Sequence, residues 1–146
     1  MCNNNIVLYS VVIVSVISII FDWSWLPISA RFSGFVIGVL GVVIFGAAVW
    51  TMRDSWRAGL AENDKTEMVT AGIYQFSRNP AFLGFDLMYL GVLLLFFNSL
   101  LLIFSLFAGV MLHLQILQEE KYLPTVFGKA YDEYCSKVCR YLGRKS

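Results

Sequence analysis

Charge is what this chain has least of. Only 14% of its 146 residues are Asp, Glu, Lys or Arg, while 58% are hydrophobic. A soluble domain carries about 25% charged residues, so the shortage places the chain in the membrane class. Net charge is +1, with no basic stripe to compete for phosphates, which argues against nucleic acid as a partner. Cysteine is scarce as well. Cys2, Cys135 and Cys139 form neither a metal-ligand spacing nor a disulfide framework. They read as reduced thiols on a cytosolic face, and no metal is expected. Also missing are a G-x-G-x-x-G loop after a strand, a Walker loop, an H-E-x-x-H pair and a nucleophile elbow. Any cofactor must therefore be held by the membrane-embedded fold itself. The opening MCNNN lacks a positive n-region, and no small-x-small cleavage site follows it. The first apolar run is accordingly expected to be a retained helix, not a signal peptide.

What is present is four long apolar runs, at about 6–21, 33–52, 80–97 and 100–118. Spanning a bilayer takes about 20 residues, with about 17 sufficient. The expected fold is an all-α, polytopic membrane bundle of four transmembrane helices, forming a single domain over 1–146. Trp23, Trp25, Trp50 and Trp56 sit where interfacial belts belong. Of the eleven Lys and Arg, only Arg31 lies in the first loop. Arg53, Arg57, Lys65 and Arg78 lie in the second loop, 53–79, and the other six in the tail, 119–146. The positive-inside rule then puts that loop, the tail and both termini in the cytosol. Asn98 and Ser99 are the only polar residues between runs three and four, which predicts a tight helical hairpin. Gly34, Gly38, Gly41 and Gly46 in run two offer small surfaces for packing within the chain or in a homodimer. Beyond Gln118, Leu123, Phe127, Tyr131, Tyr134, Val138 and Tyr141 recur at helical spacing, while Lys129, Asp132, Glu133, Lys137 and Arg140 face away. That pattern predicts an amphipathic cytosolic helix, bent at Gly128.

Ionisable groups inside a membrane are costly and so are candidates for function. Asp86 in run three and His113 in run four qualify. Asn79, Phe82, Asp86 and Tyr89 share one helical face; Gly109, His113, Ile116 and Glu120 share another. Asp86 and His113 either serve a site or simply hold the bundle together. The adjacent Glu119 and Glu120 are either a solvated helix end or a grip for an ammonium or sulfonium. Arg78 either holds a carboxylate or pairs with one of these two acids.

Two stretches together carry a family likeness. "KTEMVTAGIYQFSRNPAFLG" and, about thirty residues later, "HLQILQEEKYLPTVFGKAYDEYCSKVCRYLG" resemble the isoprenylcysteine carboxyl methyltransferase and phospholipid methyltransferase superfamily over residues 65–142. The resemblance implies an integral-membrane enzyme that uses S-adenosyl-L-methionine. It implies methyl transfer to a lipophilic, prenylated or lipid acceptor, either a carboxylate or an amine. It places Glu67, Met68, Val69 and Tyr74 around the adenosyl part, and Asn79, Pro80, Ala81 and Phe82 along the cofactor. Glu119 would hold a polar end of the cofactor and Glu120 would support it, with Gly72 and Gly84 permitting close approach. Asn79 stands where the family prefers His, so it can bond but not act as a base. Gln115 stands where the prenylcysteine branch has Arg. A carboxylate acceptor needs a clamp, for which Arg78 is the first candidate and Gln115 or His113 the second. An amine acceptor must lose a proton, for which His113, Asp86 or Glu120 is available. The competing expectation is a non-catalytic scaffold or assembly subunit.

Overall fold

The computed structural model describes residues 4–22, 24–53 and 68–145. Among the described residues the chain is helical: α1 (Asn4–Ile20), α2 (Ile28–Met52), α3 (Pro80–Leu95), α4 (Ser99–Phe127) and α5 (Lys129–Lys137), with a 3₁₀ turn at Gly72–Gln75. One isolated bridge pairs Val138 with Arg144. Cys2, Trp23, Trp56, Arg57, Lys65 and Glu67 lie outside the described residues.

In lipid, backbone N–H and C=O groups must pair within their own segment, and long apolar runs do so as helices. α2 and α4 are long and apolar enough to cross a membrane. Only 17% and 22% of their most apolar stretches are buried in the protein. Phe35, Val39 and Val43 on α2, and Ile103, Phe107 and Val110 on α4, are exposed. The core helix of a soluble protein hides such side chains; a helix in lipid has no reason to. The chain is therefore an integral membrane protein. α3 and the Tyr9–Ile20 part of α1 are apolar but shorter.

Two boundaries differ from the sequence reading. α2 starts at Ile28, ahead of residue 33. The Pro27 carbonyl there accepts from the Ala30 and Arg31 amides and opens the first turn. α4 continues past residue 118 to Phe127, with Pro124 inside it. Glu119 and Glu120 are thus mid-helix, not at a helix end, and the macrodipole does not act on them as it would at a terminus. Pro124 has no N–H, so the Glu120 carbonyl loses its helical donor.

The chain forms two compact units. The first comprises residues 1–42 and 85–114. Its core is Val14, Leu93 and Leu101, with Phe96, Phe97 and Phe104 packed around them. A Cβ built on Gly91 would lie 2.5 Å from the Gly38 Cα and 2.8 Å from the Gly34 oxygen. The backbones of α2 and α3 therefore touch here, as small residues allow. Two of the four run-two glycines are accordingly used within the chain.

Asn98 caps α4 in this unit. Its Oδ1 accepts from the Leu101 amide at 2.9 Å. Its Nδ2 donates to Ser18 Oγ at 3.0 Å and to the Phe96 carbonyl at 3.0 Å. The side chain is buried. Asn98→Ala should lower stability by about 2 kcal/mol, the upper range for a lost cap, because the hydroxyl of Ser18 is stranded too. Thermal unfolding in detergent checks this; an unchanged midpoint would refute the cap.

The second unit comprises residues 43–84 and 115–146. Its core joins Ala48, Tyr74 and Ala81, with Phe45, Met52, Val69 and Ile73 against them. Gly72 takes φ +58°, a conformation that glycine adopts without strain, close to the Thr51 side chain. Gly128, at φ 54°, separates α4 from α5. The helix then stops earlier than the apolar spacing suggests. Val138 is extended, at φ −123° and ψ 137°. The chain folds back on itself: the Cys139 amide bonds the Gly143 carbonyl at 2.9 Å, and the Lys145 amide the Lys137 carbonyl at 2.9 Å. Arg140, expected on an outward helical face, instead lies on this returning segment, where its partly exposed side chain bonds Glu120.

Candidate functional site

Chain order alone separates the 74–80 turn from the tail by some sixty residues; backbone hydrogen bonds join them. The Arg78 amide donates to the Cys139 carbonyl at 3.1 Å, and the Gly143 amide to the Phe76 carbonyl at 2.7 Å. Asn79 Nδ2 donates to the Arg140 carbonyl at 3.2 Å. The Tyr134 hydroxyl donates to the Tyr74 carbonyl at 2.6 Å. The turn itself is held by Ser77, whose Oγ accepts from the Asn79 amide at 3.1 Å. Pro80 then opens α3 from the position a proline suits.

This zipper brings a charge cluster together within the second unit. Glu120 sits between two arginines. Arg78 Nη2 lies 3.1 Å from Oε1, with the Arg78 and Glu120 side chains only 11% and 12% exposed. Arg140 donates to Oε2 twice, from Nε at 2.9 Å and from Nη2 at 2.7 Å. That bond holds the Arg140 guanidinium above its usual value. Arg78 Nη1 donates to Cys135 Sγ. Two buried polar atoms are left over. Among the described residues Arg78 Nε has no hydrogen-bond partner, and Glu120 Oε1, although within ionic reach of Arg78, accepts no well-formed hydrogen bond. Groups buried in this way cost free energy unless something fills them.

Glu119 lies beside this cluster. Gln115 Nε2 donates to its Oε1 at 3.2 Å. Burial, and then the negative charge of Glu119, push the Tyr74 phenol up to about 12. Burial also raises the Tyr131 and Tyr134 phenols, with the Arg78 charge opposing the rise in both. All three phenols stay protonated across the physiological range. An open cavity of about 470 Å³ adjoins Tyr134, lined also by Met68, Thr70, Gln75, Lys137 and Arg144 among others. That is within the size range of small-molecule sites.

The residues singled out in the sequence divide as follows. Arg78, Asn79, Pro80, Tyr74, Glu119 and Glu120 lie in one cluster of the second unit. Met68 lines the cavity, and Val69 packs against the unit's core. Ala81 and Gly84 are buried, and Phe82 is partly buried. Asp86 and His113 belong to the first unit. Arg140 and Cys135 were missed. No helical spacing reveals Arg140, because its place depends on the chain reversal after Val138.

Comparison with known proteins identifies the family. Residues 34–125 match the model of the isoprenylcysteine carboxyl methyltransferase (ICMT) family. A protein-S-isoprenylcysteine O-methyltransferase of Schizosaccharomyces pombe is 39% identical over 72 residues, which is 49% of this chain and 30% of that protein. A probable protein-S-isoprenylcysteine O-methyltransferase of Oryza sativa subsp. indica is 31% identical over 108 residues, 72% of this chain and 56% of that protein. One from Dictyostelium discoideum is 26% identical over 133 residues, 86% of this chain and 56% of that protein. The chain thus spans from 30% to 56% of the length of these relatives.

Proposed function

Since the chain belongs to the isoprenylcysteine carboxyl methyltransferase family, we propose that it transfers a methyl group from S-adenosylmethionine to a carboxylate on a lipophilic, prenylcysteine-like acceptor. The observation that carries this reading is the unfilled pair in the charge cluster: a buried donor, Arg78 Nε, beside a buried acceptor, Glu120 Oε1. The acceptor atom fits the ammonium of the cofactor's methionyl end. The donor fits a carboxylate. An amine acceptor would leave Arg78 Nε unfilled, so the carboxylate is favoured over the amine.

S-adenosylmethionine supplies a methyl already activated on a sulfonium, and a carboxylate needs no base to accept it. The protein's task is therefore positioning and exclusion of water. Arg78 orients the acceptor carboxylate. Glu120 and Glu119 hold the cofactor's positive end, and the protonated Tyr74 screens them from water. Asn79, Pro80 and Ala81 form the wall beside the cofactor, and Met68 faces the cavity that would take the adenosyl part. Gly72 and Gly84 let the backbone approach. Asn79 already spends one donor on the Arg140 carbonyl, which suits a holding role. In this reading 1–146 is one membrane domain with four crossing helices, and the 53–79 loop, the tail and both termini are cytosolic. The acceptor enters from the bilayer and the cofactor from the cytosol.

The test is binding first, then turnover. S-adenosylhomocysteine should raise the unfolding temperature of the purified protein; at a hundredfold excess over Kd the gain is about 2.7 kcal/mol. Glu119→Ala should abolish that shift. With labelled methyl donor, a farnesylcysteine analogue should gain a base-labile ester, whereas a lipid amine should gain nothing. A wild-type protein that shows no shift would sink the enzyme reading, and a base-stable product would sink the carboxylate.

A further inference from the structure

Arg78 and Glu120 face each other under conditions in which they ought to satisfy one another completely. A guanidinium and a carboxylate prefer a fork-to-fork pair, with two parallel N–H···O bonds. Such a pair would engage Arg78 Nε and both oxygens of Glu120. The structure shows otherwise. One Glu120 oxygen, Oε2, is taken by Arg140 through both Nε and Nη2. Arg78 reaches only the other oxygen, from Nη2, and its Nη1 is turned to Cys135. Arg78 Nε and Glu120 Oε1, both of which the fork would engage, are left without a well-formed hydrogen bond among the described residues.

We infer that Arg140 is a positioning residue that keeps the site open: by capturing Glu120 Oε2 it prevents Glu120 and Arg78 from closing into a self-satisfied pair, and so leaves one donor and one acceptor for ligand. This rests on the reading of the cluster as a cofactor and acceptor site. The bonds Arg140 makes in the cluster are to Oε2, so it acts through Glu120. Its own placement is fixed from behind. Asn79 Nδ2 holds its carbonyl, the Arg78 amide holds the preceding carbonyl, and Gly143, at φ +117°, lets the chain return to meet Phe76. The returning tail segment is thus a brace for Glu120. Keeping a buried ion pair incompletely bonded costs stability, and that cost is recovered when a ligand fills the gap.

A brace of this kind separates affinity from stability. Arg140→Ala should weaken S-adenosylhomocysteine binding at least tenfold while leaving the ligand-free unfolding temperature within a degree or two of wild type, because the closed Arg78–Glu120 pair offsets the lost bonds. Arg140→Lys should recover part of the affinity, since an ammonium can still engage Oε2. A merely structural arginine predicts the reverse: a lowered unfolding temperature with binding of the surviving fold intact. Should the alanine variant not fold, Arg140→Gln, of similar length without the charge, takes its place. A second arm needs no ligand. Glu120→Gln should destabilise the Arg140→Ala background more than the wild-type background, because it breaks the newly formed fork. Wild-type affinity in Arg140→Ala, or equal effects of Glu120→Gln in both backgrounds, overturns the brace. If wild type binds no S-adenosylhomocysteine, the proposed function falls, and the ligand-free arm decides the brace.

Discussion

Arg78→Ala should lower methyl transfer at least a hundredfold and destabilise the protein by about 3 kcal/mol. The stability figure follows from burial. Arg78 and Glu120 are 11% and 12% exposed, and removing one partner of a buried ion pair strands the other at about 3–5 kcal/mol. The lower end applies because Arg140 still neutralises Glu120 from its other oxygen. The turnover figure follows from the clamp. A hundredfold is about 2.7 kcal/mol, within reach of one charge-assisted contact made in a site from which water is excluded. Binding of S-adenosylhomocysteine should fall less than turnover, because Glu119 and Glu120 remain. Arg78→Lys separates the two effects: it should restore most of the stability through its charge, yet little of the turnover, because an ammonium has no fork to present. Turnover within fivefold of wild type in Arg78→Ala would remove Arg78 from the site.

Gly91→Ala is expected to be the most disruptive small substitution in the first unit. The added methyl would meet the Gly38 Cα at 2.5 Å, the Gly38 nitrogen at 2.6 Å and the Gly34 oxygen at 2.8 Å. All three are backbone atoms, so no rotamer change relieves the contact; α2 and α3 must separate. Overpacking usually costs about 1–3 kcal/mol, and a clash with rigid backbone belongs at the top of that range. Gly46→Ala and Gly109→Ala are the controls. Nothing lies within 4 Å of either new methyl, and a helical alanine is favoured over glycine by about 1 kcal/mol in water. Both should therefore be neutral or slightly stabilising. Unfolding in detergent compares the three; a neutral Gly91→Ala would refute the close backbone contact.

The helical segments were legible because their signal is local. An apolar run in a chain with so little charge has few alternatives to a helix, and the structure returns a helix for each of the four. Their ends were less legible. α4 passes through Pro124 to Phe127, where loss of apolar character at Gln118 suggested a change. A single proline removes one bond, while the turns on either side of it retain theirs. The helical spacing of Val138 and Tyr141 with the residues before them misleads for a different reason. Backbone bonds to the 74–79 turn compete with one more turn of helix, and they prevail.

The sequence by itself determined that this chain is helical and membrane-embedded and resembles the isoprenylcysteine carboxyl methyltransferase and phospholipid methyltransferase superfamily. Composition, run length and the two motifs are properties of neighbouring residues, and survive without knowledge of the fold. Only the tertiary structure decided what Arg78 faces, which oxygen of Glu120 each arginine meets, and that Arg140 reaches Glu120 at all. These depend on groups up to 67 positions apart in the chain, as Phe76 and Gly143 are. Their meeting is set by the reversal after Val138 and by backbone hydrogen bonds. No spacing of residue types along the sequence records either.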